Sequence, residues 1–141
     1  MLRKEFEINM ENRFRCGQKI IQKWIAFADE NVNSEQYINF KPEPYERAVQ
    51  KWLDRIFSAL YFAQRQVGDK AVGEILWLTE QHCLYPHEIM GLIEHLKSGG
   101  NTENLIEKSL NDKFDYFGAL PTLDDVKKDL TERRRKQERE R

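Results

Sequence analysis

A chain of 141 residues, 40 % of them hydrophobic and including eight Phe, five Tyr and three Trp, carries enough apolar surface for one packed core. A domain of this size removes roughly two thirds of its unfolded surface from water, which excludes disorder of the whole chain and any need for disulfide staples. The formal net charge is -1, and because the last nine residues, RRRKQERER, hold six basic and two acidic side chains, the rest of the chain is -5; that argues against a nucleic-acid-binding body and leaves the tail as the cationic candidate.

In chain order, Phe6, Met10, Phe14, Gly17, Ile21, Trp24 and Ala28 recur at steps of three and four. That spacing predicts one long helix from about Lys4 to Asn31. Gly17 inside the stripe costs about 1 kcal/mol relative to Ala, and marks either a close helix approach or a kink. The segment NVNSEQYINFKPEP (31–44) reads as a connection closed by Pro42 and Pro44. Tyr45, Val49, Trp52, Ile56, Leu60, Ala63 and Val67, flanked by Leu53, Phe57 and Tyr61, then give the broad apolar face of a central helix. Gly68 stops that helix and Asp69 is placed to cap the next.

A third helix is expected over about 70–83, with Val72, Ile75 and Leu76 on its inner side. Pro86 opens a fourth, ended by Gly99–Gly100. A weaker fifth helix covers about 102–112. KFDYFGALP is aromatic but aperiodic, which predicts an extended segment laid over something hydrophobic. Thr122 followed by Asp125 resembles a capping box for a last helix whose only apolar residues are Leu123, Val126 and Leu130, so its end projects into water or frays.

The fold expected is all-α: a compact bundle of four to six helices with a peripheral C-terminal helix and a charged tail. Residues 1–112 are read as the bundle core, and 113–141 as an aromatic docking segment plus the charged helix and tail, all within one domain. Short connections favour antiparallel neighbours. The start MLRKEFEINMENRFR has no signal-like apolar stretch, and IFSALYFA (56–63), the longest apolar-rich run, is too short to span a bilayer. With two free thiols, Cys16 and Cys83, a reducing, cytoplasmic setting is expected.

The stretch TEQHCLYPHEIMGLIEH gathers His82, Cys83, His87 and His95. A zinc site needs four converging ligands, usually supplied as two clusters, and the second cluster is missing here. His82 and Cys83 are neighbours whose side chains diverge by about 100° on a helix, which disfavours a thiol–imidazole pair. Asp124–Asp125 suits the N-terminal dipole of the last helix better than a cation. A helix-turn-helix presenting His87, Glu88, Gly91, Glu94 and Lys97 to DNA has too many acids for a polyanion. No catalytic, cofactor-binding or metal site is therefore expected.

The leading expectation is a non-enzymatic interaction module, an adaptor, inhibitor or regulator, whose partner is another protein. Trp77, Phe114, Tyr116 and Phe117 are its candidate apolar contacts, and Arg133, Arg134, Arg135 and Lys136 its electrostatic ones. The alternative is weak nucleic-acid contact through the same tail, without an aromatic residue to stack a base. Self-association is a further mode, since the first helix is long and only moderately apolar in its N-terminal half.

Overall fold

The computed structural model describes residues 1–36, 44–78, 83–99, 116 and 118–139. Six helices stand among them, and no strand: α1 (Arg3–Phe14), α2 (Gln18–Gln36), α3 (Tyr45–Val67), α4 (Asp69–Leu78), α5 (Pro86–Lys97) and α6 (Leu123–Arg139). The sequence-predicted helix over 102–112, together with Phe114 and Phe117, lies outside the described residues.

The axis of the fold is α3, which packs against each of the other five helices. Its broad apolar face explains why. Val49, Leu53, Ile56, Leu60 and Ala63 are fully enclosed, and burying each large aliphatic side chain contributes about 1.5–3 kcal/mol. Ile21, Trp24 and Ala28 from α2, Ile75 and Leu78 from α4, and Ile89, Leu92 and Ile93 from α5 complete the same core.

The single long N-terminal helix expected from the stripe is two helices. Arg15 sits in the left-handed region at φ 52°. Its N–H donates to the Glu11 carbonyl at 2.9 Å, and the Cys16 N–H reaches back to Met10 at 3.3 Å, which closes α1. The Gly17 carbonyl then accepts from Ile20 and Ile21, both at 3.1 Å, and opens α2. Gly17 therefore belongs to a break, and a Cβ there would meet nothing within 4 Å, so no helix crosses closely at it. The stripe hid the break because Phe6 and Met10 before it, and Ile21 and Trp24 after it, face the same core.

The second helix also runs past the expected end at Asn31. Asn31 turns its side-chain amide back to the Phe27 carbonyl at 2.7 Å, and Val32, one turn after Ala28, is buried. Gly68, at φ 94°, makes the turn between α3 and α4. Its carbonyl, not the Asp69 side chain, takes the first α4 bond, from Val72 at 3.3 Å; Asp69 instead accepts from the Gln64 amide at 2.9 Å.

Two termini follow the sequence closely. Pro86 is the first residue of α5, where its missing N–H is no loss, and Glu88 reaches back to the Tyr85 N–H at 2.9 Å. At α6 the reciprocal bonds of a capping box are present: the Thr122 N–H donates to Asp125 at 2.9 Å and the Asp125 N–H to the Thr122 hydroxyl at 3.3 Å. The helix continues to Arg139, and residues 131–139 are all exposed, so this end projects into water. Among the described residues no helix is long and apolar enough to cross a membrane.

Candidate functional site

What fixes α6 decides what its charged end can do. Val126 is buried, with Leu123 and Leu130 packed beside it on the core. Beyond these three apolar contacts the anchor is polar. Tyr61, fully enclosed on α3, donates its hydroxyl to Asp129 at 2.6 Å, and Arg65 Nε donates to the same carboxylate oxygen at 2.7 Å. Both bonds involve an ion, the stronger kind. Hydrogen bonding from Arg65, more than any other influence, holds the Asp129 carboxyl below the usual carboxylate range, while burial first and then the Asp129 bond push the Tyr61 phenol up.

One turn beyond Asp129 stands Arg133, close enough to the Tyr61 hydroxyl to favour its ionised form. Arg134, Arg135 and Lys136 follow on the exposed part of the same helix. The four basic candidates thus divide: Arg133 turns toward the body, and the other three are presented outward. From Thr131 to Arg139 the helix carries five basic and two acidic side chains, and this stretch of nine residues is about 13 Å long at 1.5 Å per residue.

The apolar candidates divide as well. Trp77, near the end of α4, is 48 % exposed, while its neighbours Leu76 and Leu78 are buried. Tyr116 is half-buried and packs on the core. With Phe62 and Met90 it lines a shallow hollow of about 400 Å³ between α3, α5 and α6. Its ring folds back over Gly118, where a Cβ would come within 2.5 Å of the hydroxyl.

An aromatic group at the start of α5 escaped the sequence reading. Tyr85, 39 % exposed, has its ring centroid 5.1 Å from Phe27 and 6.0 Å from Trp52, and stacks on His87 at 5.4 Å with an interplanar angle of 16°. Tyr85 has no periodic position, being a lone aromatic before a proline, and only that proline hinted that it caps a helix. Trp24 and Trp52 themselves are buried, and each keeps a buried indole N–H without a hydrogen-bond partner among the described residues.

The residues of the histidine-rich bend do not share one task. Cys83 lies in the non-helical segment before α5, where its thiol contacts the Lys23 carbonyl at 3.6 Å; burial pushes its pKa up to about 11. His87 stacks on Tyr85, and His95 is half-buried in the last turn of α5. His82 lies outside the described residues. Among those described, no group of three or more His, Cys, Asp or Glu side chains stands close enough to hold a metal ion.

Comparison with models of known protein families, with curated proteins and with solved structures finds no match to this chain.

Proposed function

We propose that this chain is a non-enzymatic protein–protein interaction module, an adaptor, inhibitor or regulator, that presents a preformed cationic helix to an acidic partner. The observation that carries the reading is the unequal anchoring of α6. Its first two turns are pinned by Val126 and the Tyr61–Asp129–Arg65 cluster, whereas its last nine described residues are helical and exposed. A helix already ordered before binding avoids the entropic cost of ordering it on contact. Arg134, Arg135 and Lys136 would steer an acidic surface toward it, and Trp77 is the kind of aromatic anchor that carries binding energy at interface centres.

The test is affinity purification of the full chain from its native cells beside two variants, R134Q/R135Q/K136Q and Trp77→Ser, with captured proteins quantified by mass spectrometry. The expected result is a protein partner reduced at least about tenfold by the triple variant, a change equivalent to about 1.4 kcal/mol. A partner profile identical across wild type and both variants would refute the reading.

The outward basic row also supports a second reading, nucleic-acid contact through the C-terminal helix. It predicts nuclease-sensitive capture and binding that weakens steeply with salt. Captured material that survives nuclease treatment unchanged counts against it.

A further inference from the structure

Where α1, α3, α4 and α6 converge, a cleft of about 430 Å³ is lined by Asn12, Arg13, Gln64, Arg65, Asp69 and Arg133. It shares Asn12, Arg13, Gln64 and Asp69 with an adjoining hollow of about 440 Å³ that adds Arg15 beside the apolar Phe14 and Leu76. Three guanidinium groups, Arg13, Arg65 and Arg133, thus line the cleft beside one carboxylate, Asp69, and a fourth, Arg15, lines the adjoining hollow. Asp69 is already engaged with the Gln64 amide, and Arg65 with Asp129.

Among the described residues it is a ring, not a carboxylate, that holds Arg13 in place. Its guanidinium carbon lies 4.3 Å from the centroid of the Tyr61 ring, a stacking that leaves the planar edge free to donate. Its Nε–H is buried and has no hydrogen-bond partner among the described residues, which costs about 1–3 kcal/mol, more when the donor is charged. Gln64 supplies a complementary acceptor. Because its amide nitrogen must face the acceptor-only Asp69 carboxylate, its Oε1 points the other way; that oxygen is buried and has no donor among the described residues.

Arg15, whose left-handed backbone closes α1, lines the adjoining hollow and brings a further guanidinium near the cleft.

We infer that this cleft binds a small hydroxyl-bearing phosphate monoester, its phosphate held by Arg13 and Arg133 and a ligand hydroxyl donating to Gln64 Oε1. Guanidinium forks match phosphate oxygens in geometry as well as charge. The volume is in the range of small-molecule sites, roughly 300–1,000 Å³, and exceeds what a bare phosphate needs. Docking of α6 builds the site, since Asp129 sets the register that brings Arg133, one turn later, to the cleft wall. This inference stands apart from the partner reading above, which rests on Arg134, Arg135 and Lys136.

The experiment is calorimetric titration of the full chain with ribose 5-phosphate, inorganic phosphate and ribose, repeated on Arg133→Gln, Arg13→Gln and Arg135→Gln. Ribose 5-phosphate should bind saturably, inorganic phosphate more weakly, and ribose not at all. Arg133→Gln and Arg13→Gln should each weaken the ester at least about tenfold, the loss of one charge-assisted pair. Arg135→Gln should change it less than about twofold, because that side chain is outside the cleft. Arg133 is exposed, so its variant remains informative even if loss of the Arg13 stack unfolds the protein. Absence of saturable ester binding up to about 10 mM overturns the site. So does an equal loss in Arg135→Gln, and inorganic phosphate binding as tightly as the ester overturns the hydroxyl contact.

Discussion

The phenol of Tyr61 and the carboxylate of Asp129, 68 positions apart in the chain, meet in a 2.6 Å hydrogen bond that joins α3 to α6. Tyr61 is fully enclosed, so its hydroxyl has no water to fall back on. Asp129→Ala should therefore be more damaging than Tyr61→Phe: the first strands a buried hydroxyl and frees Arg65, whereas the second removes donor and need together. We expect a loss of about 2–3 kcal/mol for Asp129→Ala and about 1–2 kcal/mol for Tyr61→Phe in urea unfolding. Amide hydrogen exchange should also speed up across α6 in Asp129→Ala. Equal losses in the two variants would show that the carboxylate contributes nothing beyond the one bond.

The pH dependence follows from the same kind of pair at two ends of the bundle. Arg3 donates to Asp29 at 3.0 and 2.7 Å and to Glu46 at 2.8 and 3.1 Å, tying α1 to α2 and α3. Hydrogen bonds from Arg3 hold Asp29 and Glu46 below the usual carboxylate range, as Arg65 does for Asp129. A carboxyl depressed in the folded state contributes its stability above the unfolded value, about 4, and loses it as pH falls through the folded one. Tyr45 and Tyr61 are shifted upward, the first mainly by its bond to Asp29 and the second mainly by burial. Their contribution is complete below about pH 10 and lost as pH rises through the raised value.

Stability should accordingly be level between about pH 5 and 8 and fall on both sides, because the buried thiols Cys16 and Cys83 are also raised and ionise in the unfolded chain before the tyrosines do. The Arg3 and Glu46 side chains are 34 % and 52 % exposed, so solvent limits that pair to less than about 1 kcal/mol. Urea midpoints measured at pH 7 and pH 3 for wild type and Arg3→Gln give the check: the variant should show the smaller acid loss. An acid loss undiminished in Arg3→Gln would assign it to other groups.

How far all this could be read from the chain depends on whether a feature is periodic. Helix positions and the central role of α3 were legible, because Val49, Trp52, Ile56, Leu60 and Ala63 repeat at the helical interval and burial demands that repeat. Caps built from neighbours, such as Thr122 with Asp125, were legible for the same local reason. The break at Arg15 was not: arginine carries no signal for left-handed backbone, and the stripe resumes in phase beyond it. The Tyr61–Asp129 pair was not legible either. A Tyr at the edge of a stripe needs a partner for its hydroxyl, but nothing local says which of 24 acidic residues supplies it. Trp77 stands off the face marked by Val72, Ile75 and Leu76, and its outward position is legible because one helix face is decided within a few residues.

Thiol chemistry offers a check on the bend before α5. Burial pushes both Cys16 and Cys83 up to about 11, from an ordinary value of 9.0. The thiolate fraction near neutrality is then about 100-fold lower than for a free cysteine, and alkylation should slow in proportion. Iodoacetamide labelling followed by mass spectrometry, native against urea-unfolded, should show both cysteines protected in the native state. Rapid native labelling of Cys83 would place an activating cation beside the sulfur and reopen a thiol role for the bend.

Arg15 permits a test of the helix break with opposite signs expected from two substitutions. At φ 52° a glycine has no Cβ to crowd the following carbonyl, so Arg15→Gly relieves about 1–2 kcal/mol of local strain and gives back about 0.5–1 kcal/mol through the freer unfolded chain. The net expectation is a stabilisation of about 0.5–1 kcal/mol. A β-branched residue is worse placed than arginine, so Arg15→Val should destabilise by about 1 kcal/mol or more. Arg15 also lines the hollow that adjoins the phosphate-ester cleft, so loss of its charge in the stabilised variant is expected to weaken ribose 5-phosphate binding relative to wild type. Paired thermal unfolding and calorimetry read both quantities on the same samples. Arg15→Gly that is less stable than wild type would mean that the arginine side chain, and not a tolerated backbone strain, holds the turn between α1 and α2.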